Sequence, residues 1–375
     1  MADHAGVEPA RTLLQHAIAN RIFPSAVAEV GDSTGVLWRE PFGRLTFDQD
    51  SPAADISTIY DLASLTKPVA TTTVVLQLVS AKRMELDEPV SACFSEWRGS
   101  DRERATVRDL LEHAAGLPAR LVDQPPRGRR EFEHEICRMP LEYSPREKSI
   151  YSDLGFILLG FAAGDRGGAP LATQFEAIRM LLDAATGETA AGSRDGGRDA
   201  GDARGVLAFM VSDAVRSRIA PTLPLADDMR RGSVLAGSVH DNYAAALGGV
   251  AGHSGLFGNV AGVGAFGRAI LRGAREDKSL FPPFTYPWVM TMARKSTVPG
   301  SSRGLGWDTM LPTSSCGAGM SFAAFGHVGY TGTSLWIDPI LDRYFVLLTN
   351  RACGGGTVDQ MREVRRAFHD ALVLS

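Results

Sequence analysis

A serine and a lysine three residues apart, Ser64 and Lys67, are where the residue types first suggest chemistry. On a helix that spacing puts a hydroxyl and an amine on one face. A serine hydroxyl is a poor nucleophile at neutral pH and needs a base beside it. A lysine serves as that base only when its pKa is depressed, and burial and the positive end of a helix both push it down. Only five lysines occur (Lys67, Lys82, Lys148, Lys278 and Lys295), and Ser64-Leu65-Thr66-Lys67 is the sole Ser-x-x-Lys. Spacing alone does not separate this pair from an exposed helical serine and lysine.

Two later segments carry compatible groups. Tyr151-Ser152-Asp153 precedes the apolar run Leu154–Phe161. A tyrosine shuttles protons when neighbouring cations hold it partly ionised; taken alone, Tyr151 reads as an ordinary loop tyrosine. Gly326-His327-Val328-Gly329-Tyr330-Thr331-Gly332 runs into an apolar strand at 333–338. A glycine-rich strand edge lets a substrate approach the backbone and offers an N–H to a developing oxyanion. Its bland reading is a tight turn into a strand.

The elements that must position these groups follow from periodicity. Residues 7–21 have a helical apolar rhythm. Residues 25–30, 35–40 and 42–47 read as short strands, punctuated by Gly31-Asp32 and Pro41. The run 65–78 predicts a buried helix with Ser64 at its start and Pro68 in its first turn. Residues 106–111 open a short helix stopped by Gly116-Leu117-Pro118. Residues 155–163 and 171–182 form a helical middle, 184–205 a polar, flexible surface insertion, and 261–273 a helix. Strands at 334–337 and 344–348 and a helix at 358–372 close the chain. This order predicts an α/β domain from residues 1–65 and 235–375, with a mainly helical domain, 66–234, inserted.

Bulk properties narrow the classes. A net charge of −4 over 375 residues argues against a nucleic-acid surface. Arg127-Gly128-Arg129-Arg130 reads as a solvated loop. No run of 18 apolar residues occurs, and no basic stretch leads into an apolar one at the N-terminus, so a cytoplasmic protein is expected. Cys93, Cys137, Cys316 and Cys353 are widely spaced and expected as free thiols. His113 and His253 have no accompanying carboxylate or cysteine spacing, so no metal is expected. Arg351, just after the last strand, is placed to meet a substrate carboxylate, but reads first as a surface cation.

Together the three segments resemble the S-x-x-K, Y-x-N and K-T-G elements of serine β-lactamases and penicillin-binding proteins. The likeness extends to Tyr60–Lys67, Val107–Pro118, Tyr143–Phe156, Val239–Asn242 and Gly248–Phe257, and runs from about residue 10 to 370, weakest at 184–235. It implies an α+β fold, an antiparallel sheet flanked by helices. It implies Ser64 as the acylated nucleophile, Lys67 and Tyr151 as proton carriers, and the Ser64 and Tyr330 N–H groups as oxyanion donors, with Gly329 at the strand edge. Two residues depart from the pattern. Asp153 stands where asparagine is usual, to orient Lys67 or to repel an anionic substrate. His327 stands where lysine is usual, making a permanent cation a titratable one. Both changes point to a carboxylesterase-type activity on small ester or amide substrates, without a cofactor. A β-lactamase or D-amino-acid peptidase is the alternative, and a non-catalytic binding protein the remote one.

Overall fold

The computed structural model describes residues 6–121, 125–187 and 205–373. Chain order begins with α1 (Glu8–Ala19), β1 (Ser25–Gly31), β2 (Val36–Gly43) and β3 (Tyr60–Asp61). A 3₁₀ turn (Ala63–Leu65) and a π-helical turn (Lys67–Thr72) lead into α2 (Thr73–Ser80). The middle holds α3 (Val107–Leu111), α4 (Gly128–Arg138), α5 (Asp153–Gly167), α6 (Leu171–Thr186), β4 (Leu207–Ala208), α7 (Asn242–Ala246) and β5 (Phe257–Gly258). Then come α8 (Val260–Ala274), α9 (Tyr286–Ala293), β6 (Asp308–Thr309), β7 (Phe325–Val328), β8 (Ser334–Asp338), β9 (Arg343–Thr349) and α10 (Val358–Val373).

Both ends of the chain build one antiparallel sheet, ordered β2-β1-β9-β8-β7-β6. Every residue of β1 is buried, so the sheet is covered on both faces. Strand side chains alternate between faces. Ala26 and Ala28 meet α1 and α10 through Leu14, Met361 and Phe368. Val27, Leu335 and Val346 face the other way, toward Phe266 and Ile270 of α8. A short second sheet, β3-β5-β4, lies at the entry to the nucleophile segment.

Local chemistry departs from the sequence expectation at two places. Pro41 does not split a strand: β2 runs through it, pairing Pro41 with Val27. β2 is an edge strand, where a missing N–H is tolerated. The insertion expected at 184–205 starts later, because α6 continues to Thr186 and ends on the left-handed Gly187. The rest of that stretch, up to residue 204, lies outside the described residues. α3 begins with a capping box, in which Thr106 and Asp109 satisfy each other's backbone N–H groups.

Candidate active site

The segment before Ser64 is backbone-strained and heavily tied down. Ala63 has φ +47°, a left-handed value that non-glycine residues seldom take. The Asp61 carboxylate accepts the Ala63 N–H at 2.8 Å and the His240 N–H at 2.6 Å. Thr331 Oγ1 donates to the Asp61 carbonyl at 2.7 Å, and Thr333 Oγ1 to that of Leu62 at 3.1 Å. Such over-determination is what holds strain in place. Burial pushes the Asp61 pKa up to about 6, against the pull of its two N–H donors.

After this turn the helix expected at 65–78 starts irregularly. Pro68 offers no N–H to the helical ladder, and the turn from Lys67 to Thr72 is π-helical before α2 resumes α geometry. Ser64 lies in the 3₁₀ turn just before this π-helical turn and Lys67 opens it, so the two face each other one turn apart. Lys67 Nζ donates to Ser64 Oγ at 3.0 Å, and Tyr151 Oη donates to the same oxygen at 2.6 Å. Lys67 is fully buried and also donates to Asp153 Oδ1 at 2.8 Å and the His253 carbonyl at 3.1 Å. Its Nζ lies 4.7 Å from the Tyr151 ring centroid.

The charge state of this cluster differs from the sequence reading. Burial works to lower the Lys67 pKa, but the charged Asp153 leads the opposing pull, and the net shift is upward. At rest Lys67 is an ammonium. Burial raises the Tyr151 pKa, with Lys67 opposing, so the phenol is protonated at rest. Asp153 is ion-paired with Lys67, a contact compatible with the first of the two options its presence allowed. It stands at the first position of α5, where the helix dipole favours a negative charge.

Arg120, which the sequence reading missed, completes a half-buried network. Its Nη1 lies 2.9 Å from both Asp153 Oδ2 and Asp241 Oδ2, and its Nη2 donates to Asn242 Oδ1 at 2.7 Å. His253 Nε2 is 2.8 Å from Asp241 Oδ1. Folding thus gives His253 the carboxylate neighbours that sequence spacing did not reveal. Ligand atoms of Asp153, Asp241 and His253 lie within 4.8 Å of one another. Lys67 and Arg120 already neutralise both carboxylates, so an ion-pair network accounts for the cluster.

His327 is also corrected. It is buried, with Nδ1 2.9 Å from the Val328 carbonyl. Burial, with Arg303 and Lys67 adding to it, drives its pKa well below the ordinary 6.5. It is a neutral imidazole rather than a cation, its ring 6.1 Å from that of Tyr151. The cation on this side is Arg303, also missed, whose guanidinium carbon is 5.4 Å from the Tyr151 ring centroid. The Arg303 side chain is 19% exposed, and its one ion pair among the described residues, to Asp308, spans 4.0 Å.

At the strand edge, Gly329 has no room for a side chain. A Cβ there would meet Thr333 Oγ1 at 2.2 Å and the Leu62 carbonyl at 2.5 Å. Gly329 lets β7 pack directly on the nucleophile segment. Tyr330 follows, its ring stacked on His240 at 5.3 Å. Arg351 is buried, not a surface cation, and its Nη2 donates to the Tyr330 carbonyl at 2.6 Å. Among the described residues, neither the Ser64 nor the Tyr330 N–H donates to a backbone acceptor. All four cysteines are free. No described helix is long and apolar enough to cross a membrane.

The family model described as Beta-lactamase matches residues 10–369. The chain belongs to that family. It is therefore a serine hydrolase of β-lactamase fold. Among curated proteins it is 30% identical over 336 residues to an Escherichia coli (strain K12) protein named "Putative D-alanyl-D-alanine carboxypeptidase", covering 80% of this chain and 70% of the relative. It is 29% identical to the N-acetylmuramyl-L-alanine amidase of Bacillus subtilis (strain 168), covering 78% and 68%. Among solved structures, EstCE1, a hydrolase with promiscuous acyltransferase activity, superposes with TM-score 0.72 at 17% identity, covering 99% of each chain. A class C β-lactamase from Rhodobacter sphaeroides gives TM-score 0.72 at 16% identity, covering 98% and 99%. At these identities the structural likenesses speak for the fold alone.

Proposed function

We propose that this protein hydrolyses small esters through an acyl-enzyme on Ser64. The observation that carries the reading is the convergence of Lys67 Nζ and Tyr151 Oη on Ser64 Oγ, at 3.0 and 2.6 Å. With both carriers protonated at rest, a proton must first leave the coupled Lys67–Tyr151 pair. The pair then takes the Ser64 proton as Oγ attacks the carbonyl. The Ser64 and Tyr330 N–H groups stabilise the oxyanion. The tetrahedral adduct collapses, the leaving alkoxide receives that proton, and water repeats the sequence on the acyl-enzyme. A neutral His327 offers no charge to grip a carboxylate, which favours a neutral ester over a β-lactam. The test is turnover of p-nitrophenyl butyrate with fluorophosphonate labelling of Ser64. Ser64→Ala should lose at least about 10⁴-fold in kcat. An intact protein that neither labels nor turns over ends the proposal.

Arg303 favours a second reading, a carboxypeptidase acting on D-alanyl-D-alanine ends. Its guanidinium faces the Tyr151 ring with a weak acidic partner, and could pair with a terminal carboxylate. On this reading Arg303→Ala raises KM for a D-alanyl-D-alanine peptide and leaves KM for the butyrate ester unchanged. Equal effects on both substrates exclude it.

A further inference from the structure

Arg365 on α10 is a fully enclosed arginine with no acid beside it among the described residues. It is 5% exposed, and no carboxylate oxygen of a described residue lies within ion-pair distance. A buried guanidinium without a counter-ion is costly, and its donors must go somewhere. Nη2 donates to the Gly329 carbonyl at 2.7 Å and to the Thr333 carbonyl at 3.0 Å. Nε has no partner. Burial pushes the pKa down to about 9, with Arg351 adding to it, so the group is still cationic at neutral pH.

The Gly329 carbonyl and the Tyr330 N–H are the two ends of one planar peptide group. Drawing electron density toward the oxygen leaves the N–H more positive, because linked hydrogen bonds polarise one another. A cation on that oxygen, in a low-dielectric interior, does this more strongly than a neutral donor. The Gly332 N–H also donates to the Gly329 carbonyl, at 3.1 Å. The Tyr330 N–H at the opposite end has no backbone acceptor among the described residues. Arg351 braces the next peptide by donating to the Tyr330 carbonyl at 2.6 Å.

We propose that Arg365 is a positioning residue of the oxyanion site: from behind the sheet, its guanidinium polarises the Gly329–Tyr330 peptide and strengthens the Tyr330 N–H toward the substrate's developing oxyanion. The proposal rests on the reading of Ser64 as nucleophile and Tyr330 N–H as oxyanion donor. Arg365 touches no reacting atom and acts only through that peptide.

The experiment compares wild type, Arg365→Lys and Arg365→Gln on p-nitrophenyl butyrate. Rates are normalised to sites titrated with a fluorophosphonate, so unfolded protein does not count. Inhibition by phenylboronic acid, whose boron bonds to Ser64 Oγ and places an oxygen at the oxyanion position, is measured alongside. The expected order of kcat is Arg, then Lys, then Gln, with Gln down about tenfold, less than the loss of a whole oxyanion donor. KM should move less than about twofold, since the uncharged ester in the ground state needs this donor less. Boronate affinity should fall in parallel with kcat. Unchanged kcat per titrated site in both variants overturns the proposal, and so does a fall in kcat with boronate affinity unmoved. If Arg365→Gln yields no titratable protein, Arg365→Lys decides by the same criteria. Wild type that fails to label at Ser64 defeats the underlying acyl-enzyme reading instead, which separates the two failures.

Discussion

Replacing Asp153 by asparagine should move the acid limb of the pH–rate profile to lower pH. Asp153 Oδ1 stands 2.8 Å from Lys67 Nζ, and Arg120 holds the other carboxylate oxygen at 2.9 Å. Unit charges 2.8 Å apart attract by about 6 kcal/mol at an effective dielectric of about 20. Much of that is offset, since Arg120 shares the carboxylate and an asparagine oxygen still accepts from Lys67. A net fall in the Lys67 pKa remains, in the direction that losing one adjacent opposite charge dictates. The sign follows from the mechanism: the carrier pair must shed a proton before Ser64 can be activated, and a lower Lys67 pKa lets it do so at lower pH. The assay is kcat/KM on p-nitrophenyl butyrate between about pH 6 and 11, per titrated site, a window that reaches the raised range of the two carriers. Breaking a buried pair also destabilises, by up to about 3–5 kcal/mol, with Asp241 still holding Arg120. An acid limb that stays put, or moves up, in a variant that still titrates at Ser64 would refute the claim that Asp153 sets the Lys67 charge.

Two further substitutions probe the scaffold. Gly329→Ala places a Cβ 2.5 Å from the Leu62 carbonyl, so β7 must back away from the nucleophile segment. A loss of about 1–3 kcal/mol in urea unfolding and a lower acylation rate are expected, and unchanged unfolding would show that the packing has slack. Asp61 has a folded pKa of about 6 against an ordinary 3.8. Between those values the folded state keeps a proton the unfolded state has lost, so this group adds stability as pH falls. The linked energy is about 3 kcal/mol. Asp61→Asn removes it, and its stability deficit should widen between pH 7 and pH 4; a constant deficit contradicts the raised pKa.

What was legible in the sequence was local or serially ordered. Ser64 and Lys67 share a turn, and Tyr151 and the 326–332 edge follow in an order that made the set recognisable. The sheet built from both ends of the chain could be anticipated because strand and helix periods sit at both ends. What could not be read was long-range burial. Arg120 meets Asp153 across 33 residues and Asp241 across 121, and nothing near Arg120 marks it as their partner. Arg303 and Arg365 look like any of the chain's other arginines until folding removes their water. The Lys67 pKa went the wrong way for the same reason: its spacing from Ser64 was visible, its carboxylate 86 residues away was not. Strand β2 passing through Pro41 depended on being an edge, a property of topology.

The histidine at position 327 makes a sharper case. Read as a residue type, it weakens the site's hold on anions, and its neutral state supports that. The site as a whole does not lose its positive charge. Lys67 and Arg120 are matched by Asp153 and Asp241, which leaves Arg303 as the cation near Tyr151 held only by a 4.0 Å contact to Asp308. The charge that a lysine at 327 would have supplied is therefore present on another segment, beside the tyrosine ring. Under the two proposed readings, preference between neutral esters and carboxylate-bearing peptides turns on whether Asp308 or the substrate holds Arg303. A lone substitution in a motif reports the charge of one side chain; the electrostatics a substrate meets is the sum over every element that folds against it.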